Sequence, residues 1–133
     1  MIKLFIGGKG SGKTKTLIEL ANNAANSSKG SVICIEKGSK LRHEITYKAR
    51  LIDTDAYAVV DAEALFGFIA GILASNSDIT DIFVDSALKI CGGDVAAFDA
   101  MLPKVKAISD EVNIVMTVSI PVEECPESIK AYV

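Results

Sequence analysis

Eight consecutive residues constrain this chain more than any others: Gly7-Gly8-Lys9-Gly10-Ser11-Gly12-Lys13-Thr14. They match the spacing G-x-x-x-x-G-K-[ST]. The run before them, Ile2 to Ile6, is short and mostly apolar, and reads as a buried strand. After them Leu17, Ile18, Ala21, Ala24 and Ala25 recur at helical spacing from Lys13 to about Asn26. A glycine loop between a strand and a helix turns its backbone N–H groups inward, and the helix adds the positive end of its dipole. The same spot therefore attracts phosphate oxygens. The lysine of this spacing reaches the outer phosphates, and the hydroxyl residue after it can ligate Mg²⁺. With average residue usage, the spacing arises by chance in a chain of this length with a probability of roughly half a per cent.

The rest of the chain alternates strands with helices. Polar NSSKGS at 26–31 stops the first helix. Apolar, β-branched 31–36 forms the second strand, and 49–53 a short third. The stretch 37–48 is polar and shows neither periodicity. Asp61 caps a helix over 62–75, and 79–85 is a strand ending in aspartate. Asp94 opens a helix over 94–109, with Val95, Phe98, Met101, Leu102, Val105 and Ile108 on one face. Pro103 is expected to kink or break that helix. The last strand is 112–120, followed by a loop and a short helical turn. Strands that read as continuous apolar runs, alternating with helices, predict a parallel sheet covered on both faces. The expected architecture is one α/β domain over 1–133, with the strand before the glycine loop in the sheet centre.

With this loop in this setting, the chain resembles the P-loop NTPase superfamily. That family pairs the loop (Walker A) with an apolar strand ending in aspartate (Walker B), and Ile82-Phe83-Val84-Asp85 has that form. The resemblance covers essentially the whole chain, and the RecA-like (ASCE) type is favoured. It implies a three-layer α/β/α fold with a mainly parallel sheet of about five strands. It implies ATP contacts from Gly7, Gly8, Lys9, Gly10, Ser11, Gly12, Lys13, Thr14 and Lys15, with Lys13 also catalytic. It implies Mg²⁺ as cofactor, held by Thr14 and by Asp85, mostly through water. Many hydrolytic members carry glutamate directly after the aspartate, where this chain has Ser86. In members similar to RecA the catalytic glutamate ends a neighbouring strand. Glu36 ends Val32–Glu36 and fits that position; it either orients the attacking water or is a solvated strand-end carboxylate. Thr117 and Ser119 share a face of the last strand, where family members can sense the outer phosphate. The chain also looks like small single-domain bacterial proteins sometimes labelled twitching-motility ATPases. Its single histidine, His43, cannot supply the histidine-rich motifs of pilus-retraction enzymes, so nucleotide binding carries over and motility does not.

Composition narrows the functions. Net charge is −3, and Arg42 and Arg50 are the only arginines, which argues against a nucleic-acid binder. Either arginine reads as a surface charge before an arginine finger. No apolar run has the ~20 residues of a membrane span, and no secretory leader is expected, so the reading is a cytoplasmic protein. Cys34, Cys91 and Cys125 form no CxxC pair, which argues against a disulfide framework or zinc site. The helix 62–75 has Glu63 as its only charge and contains Gly67 and Gly71. It is either buried, with these glycines packed on the sheet, or a subunit contact in a homo-oligomer. Three functions remain: a Mg·ATP hydrolase or switch, a nucleotide-binding module without turnover of its own, and a small-molecule kinase. The sequence identifies no partner protein. The connection after Asp85 is short and shows no arginine-rich lid, which counts against the kinase.

Overall fold

The computed structural model describes residues 1–133. Five strands form one sheet: β1 (Ile2–Gly7), β2 (Ser31–Glu36), β3 (Arg50–Asp53), β4 (Ile79–Val84) and β5 (Asn113–Ser119). Their order is β1-β5-β4-β2-β3, and every pair is parallel. Helix α1 (Lys13–Ser27) covers one face. Helices α2 (Ala62–Ser75), α3 (Ala87–Ile90), α4 (Val95–Ser109) and α5 (Glu127–Lys130) belong to the other, which makes three layers. The expected α/β architecture is therefore present.

The alternation of side chains along each strand divides the core in two. Val32, Cys34, Phe83 and Val115 pack with Leu17 and Ala21 of α1 and with Leu41, Ile45 and Ala49 of the β2–β3 connection. Ile33, Ile35, Ile82, Val84, Ile114 and Met116 face Leu65 and Ile69 of α2 and Phe98, Leu102 and Val105 of α4. Each such fully buried side chain contributes about 1.5–3 kcal/mol relative to exposure. The polar stretch 37–48 forms turns, and it keeps its place by burying Leu41 and Ile45 on the α1 side.

Five details differ from expectation. β1 lies at the sheet edge, not at the centre, because β5 returns to pair with it and nothing pairs beyond. Only a single bond, from Leu4 N–H to the Tyr132 carbonyl (2.9 Å), reaches that outer edge from the tail. Helix α4 runs unbroken through Pro103. That proline is exposed, so the carbonyl it leaves unpaired can meet water, while buried Met101, Leu102 and Val105 hold both halves to the core. Ile108 is 37% exposed, and Ser109 takes the buried place at the helix end. Gly67 and Gly71 do not pack on the sheet; both face outward from α2 with open space before them. The short helix α3 and a 3-10 turn at Thr54–Tyr57 fall in segments that the sequence reading left as connections.

Candidate functional site

The loop leaves the C-terminal end of β1 and enters α1 without a side-chain cap. By contrast, Asp61 accepts the Ala64 N–H (2.8 Å) at α2, and Asp94 accepts the Ala97 N–H (3.0 Å) at α4. The first-turn N–H groups of α1 thus lack the partner that a capping side chain would give, and suit an anion. Gly12 sits at φ +85°, a conformation that side chains disfavour. At Gly7 the constraint is space: a Cβ would lie 2.8 Å from Ser11 Oγ. Lys13 folds back over the loop, its Nζ donating to the Gly8 carbonyl (2.9 Å) and Ser11 Oγ (3.2 Å).

The second half of the site comes from the ends of β4 and β5. Asp85 follows β4 directly, and its N–H donates to the Ile35 carbonyl of β2 (2.8 Å). Its Oδ1 accepts from Thr14 Oγ1 (3.0 Å) and from Thr117 Oγ1 (2.7 Å). Thr117, buried on β5 between β1 and β4, also accepts the Ser86 N–H (2.7 Å). Ser86 has φ +56°, a strained conformation for a residue with a side chain, and its Oγ lies 3.4 Å from Asp85 Oδ2. The strain turns the chain sharply out of the strand, so Asp85 stays at the cleft floor while its neighbour's N–H points back to Thr117. The resemblance implies that Thr117 can sense the outer phosphate; its bonds here hold Asp85.

These groups open on a cleft of about 530 Å³, lined by the loop and by Lys40, Asp85, Ser86, Lys89, Ser119 and Pro121. Four lysines (Lys9, Lys13, Lys40 and Lys89) face it, against Asp85 as the one carboxylate. None of the four is in an ion pair; the pairs in the chain are Lys37–Asp55 and Lys130–Glu127. A chain of net charge −3 thus gathers unpaired positive charge at one cleft. Such a cleft favours a polyanion over other ligands of its size.

Thr14 and Asp85 offer hard oxygen donors side by side, as Mg²⁺ prefers. No group of three His, Cys, Asp or Glu side chains could cage a metal on its own. The donor set therefore fits Mg²⁺ that shares its coordination with ligand phosphates and water.

The other sequence candidates fall as follows. Gly8, Lys9, Gly10, Gly12, Lys13 and Thr14 line the cleft. Gly7 is buried beneath it, and Lys15 is exposed on α1 outside the lining. Ser11 bonds Lys13 and borders a smaller cavity beyond the β1 edge, next to Lys3 and Val133. Arg50 belongs to a separate groove under β3 and α2. Arg42 is exposed, its Nε donating to His43 Nε2 (3.2 Å).

Glu36 is neither the solvated carboxylate of one reading nor part of the cleft lining that the other needs. It is 3% exposed. Its Oε1 accepts the Lys40 N–H (3.0 Å), and its Oε2 the Leu41 N–H (3.1 Å). Burial pushes its carboxyl above the usual range; the two backbone donors pull the other way, and Asp85 and Asp53 add repulsion.

Sequence reasoning missed Lys40 and Lys89. Lys89 stands four residues after Asp85, a helical spacing, but the segment is too short to show a period in the sequence. Lys40 lies in the stretch without periodicity, where no local signal marks it. No protein-family model matches the chain, and no curated protein matches it.

Proposed function

We propose that this chain binds the Mg²⁺ complex of a nucleoside triphosphate, with ATP as the ligand by resemblance to P-loop NTPases. The observation that carries the reading is the hydrogen bond from Thr14 Oγ1 to Asp85 Oδ1 (3.0 Å). It joins two motifs 71 residues apart at one point. Lys13 then neutralises the outer phosphates, and the open N-terminus of α1 receives the inner ones. Mg²⁺, when bound with the nucleotide, supplies charge neutralisation between the phosphates. Thr14 and Asp85 hold its place, and Thr117 keeps Asp85 in orientation.

The engagement of Glu36 supports the second of the three readings, a nucleotide-binding module without turnover of its own. A water-orienting base needs an oxygen within reach of the cleft. Glu36 gives its oxygens to Lys40 and Leu41 instead.

The test is titration of the purified chain with the fluorescent analogue mant-ATP in Mg²⁺, beside Lys13→Ala, with phosphate release followed in parallel. The expected result is binding by wild type, binding weakened at least about tenfold in Lys13→Ala, and slow release. Equal binding by wild type and Lys13→Ala would refute the reading. Rapid Lys13-dependent release would restore a hydrolase, with a base other than a tied Glu36.

A further inference from the structure

We propose that Glu36 is a positioning residue that holds Lys40 at the cleft, where Lys40 reads the terminal phosphate and separates nucleoside triphosphate from diphosphate. This rests on the reading of the glycine loop as a nucleotide site.

Residues 37–41 leave the C-terminal end of β2, and Lys40 and Leu41 among them line the cleft. No helix or strand pairs their backbone. The Lys40 and Leu41 N–H groups go to the Glu36 carboxylate. Leu41 is buried and packs with Leu17 and Ala21 of α1, the helix that the glycine loop opens. Glu36 therefore fixes the end of this turn at Leu41, its first contact with the phosphate-loop helix, while the Gly38 N–H is held separately by Asp53 Oδ1 (2.8 Å). Lys40 is carried by the same two bonds. It lines the cleft together with Leu41, Lys13, Asp85 and Lys89, and no carboxylate pairs with it.

A free lysine in that place has a specific use. The arginines lie elsewhere, Arg42 exposed and Arg50 in the groove under β3. Extra cationic charge at the cleft must then come from lysines. Lys13 is tied to its own loop, while Lys40 comes to the cleft lining on a separate segment, the turn after β2. The third phosphate adds charge to the ligand, and a cation on a separate segment rewards that addition more than it rewards a diphosphate. Attaching Lys40 through backbone bonds to a buried carboxylate lowers the ordering cost at binding.

The experiment compares mant-ATP and mant-ADP affinities, with Mg²⁺, for wild type, Lys13→Ala, Lys40→Ala, Lys40→Arg, Glu36→Ala, Glu36→Gln and the double variant Glu36→Ala/Lys40→Ala. Circular dichroism establishes that each is folded. Lys40→Ala is expected to weaken mant-ATP at least about fivefold and mant-ADP less than about twofold. Lys40→Arg keeps the preference. Glu36→Ala gives the same selective loss, and the double variant loses no more than the larger single effect, since both act through one group. Glu36→Gln keeps part of the preference, because its carbonyl oxygen accepts one of the two N–H groups while its NH2 faces the other. A structural role alone would lower both affinities together. An unchanged preference in Lys40→Ala, with wild-type binding that depends on Lys13, overturns this inference and leaves the nucleotide reading intact. An equal loss in Glu36→Gln and Glu36→Ala overturns the positioning role of Glu36. Binding that ignores Lys13→Ala overturns the nucleotide reading and this inference with it.

Discussion

Glu36 shows how one residue can match a motif and serve another end. Its place at the end of β2 is what a water-orienting glutamate would need, yet its oxygens are spent on backbone N–H groups. The energetic consequence has a definite sign. A carboxyl raised above its unfolded value adds stability fully present below the unfolded pKa, and loses it as pH rises through the folded pKa. Ionised Glu36 is therefore a cost at neutral pH. Wild type is expected to gain in melting temperature relative to Glu36→Gln as the pH falls from 7 towards 4; the glutamine itself keeps one acceptor but turns its NH2 on the other backbone N–H. Glu36→Ala leaves the buried Leu41 N–H without its acceptor and costs about 1–3 kcal/mol at either pH. Thermal melts of the three proteins across that range decide it; a gap between wild type and Glu36→Gln that does not change with pH would remove the electrostatic account. The sequence placed Glu36 at the strand end correctly. It could not show the burial, because that depends on Leu41 folding back onto α1 from a segment without periodicity.

Among the elements, legibility followed periodicity. Helix α2 begins and ends where its apolar run and Asp61 place it. Helix α1 begins at Lys13, as the glycine loop requires. Helix α3 was hidden because four residues are too few to show a period. The GxxxG pair of α2 was visible, but its direction was not: apolar residues all round a helix do not say which side meets the sheet. Gly67 and Gly71 turn out to face outward with no atom within 4 Å of a Cβ. An exposed glycine inside a helix costs conformational entropy that alanine would not. Gly67→Ala and Gly71→Ala are each expected to stabilise by about 0.4–1 kcal/mol in urea unfolding. Destabilisation by either would mean that this face is occupied in solution, and sedimentation of the same variants would show whether a second copy occupies it.

At the scale of the whole molecule, strand order was the least legible feature. The alternation of elements predicts a parallel sheet, but which strand stands at the edge depends on pairings more than a hundred residues apart, such as Ile2 with Ile114. That order has a consequence for the cleft. β5 stands between β1 and β4, so Thr117 can brace Asp85 while Thr14 arrives from the loop after β1. The single sheet also joins the two halves of the core, and the cysteines report on both. Cys34 lies on the α1 side, and Cys91 and Cys125 on the side of α2 and α4. Burial pushes the Cys34 and Cys91 thiols up to about 12 and raises Cys125, so all three should be inert in the native protein. In urea they are expected to become reactive to a thiol reagent at one midpoint, coincident with loss of helical circular dichroism. Mg·ATP at about a hundred times its Kd should move that shared midpoint up by about 2.7 kcal/mol of stability, or roughly 1–2 M urea for a protein of this size. Mapping the labelled cysteines by mass at each urea concentration tests this directly. If Cys34 reacts first and alone, the α1 layer opens apart from the rest, and the sheet does not couple the α1 face to the opposite core.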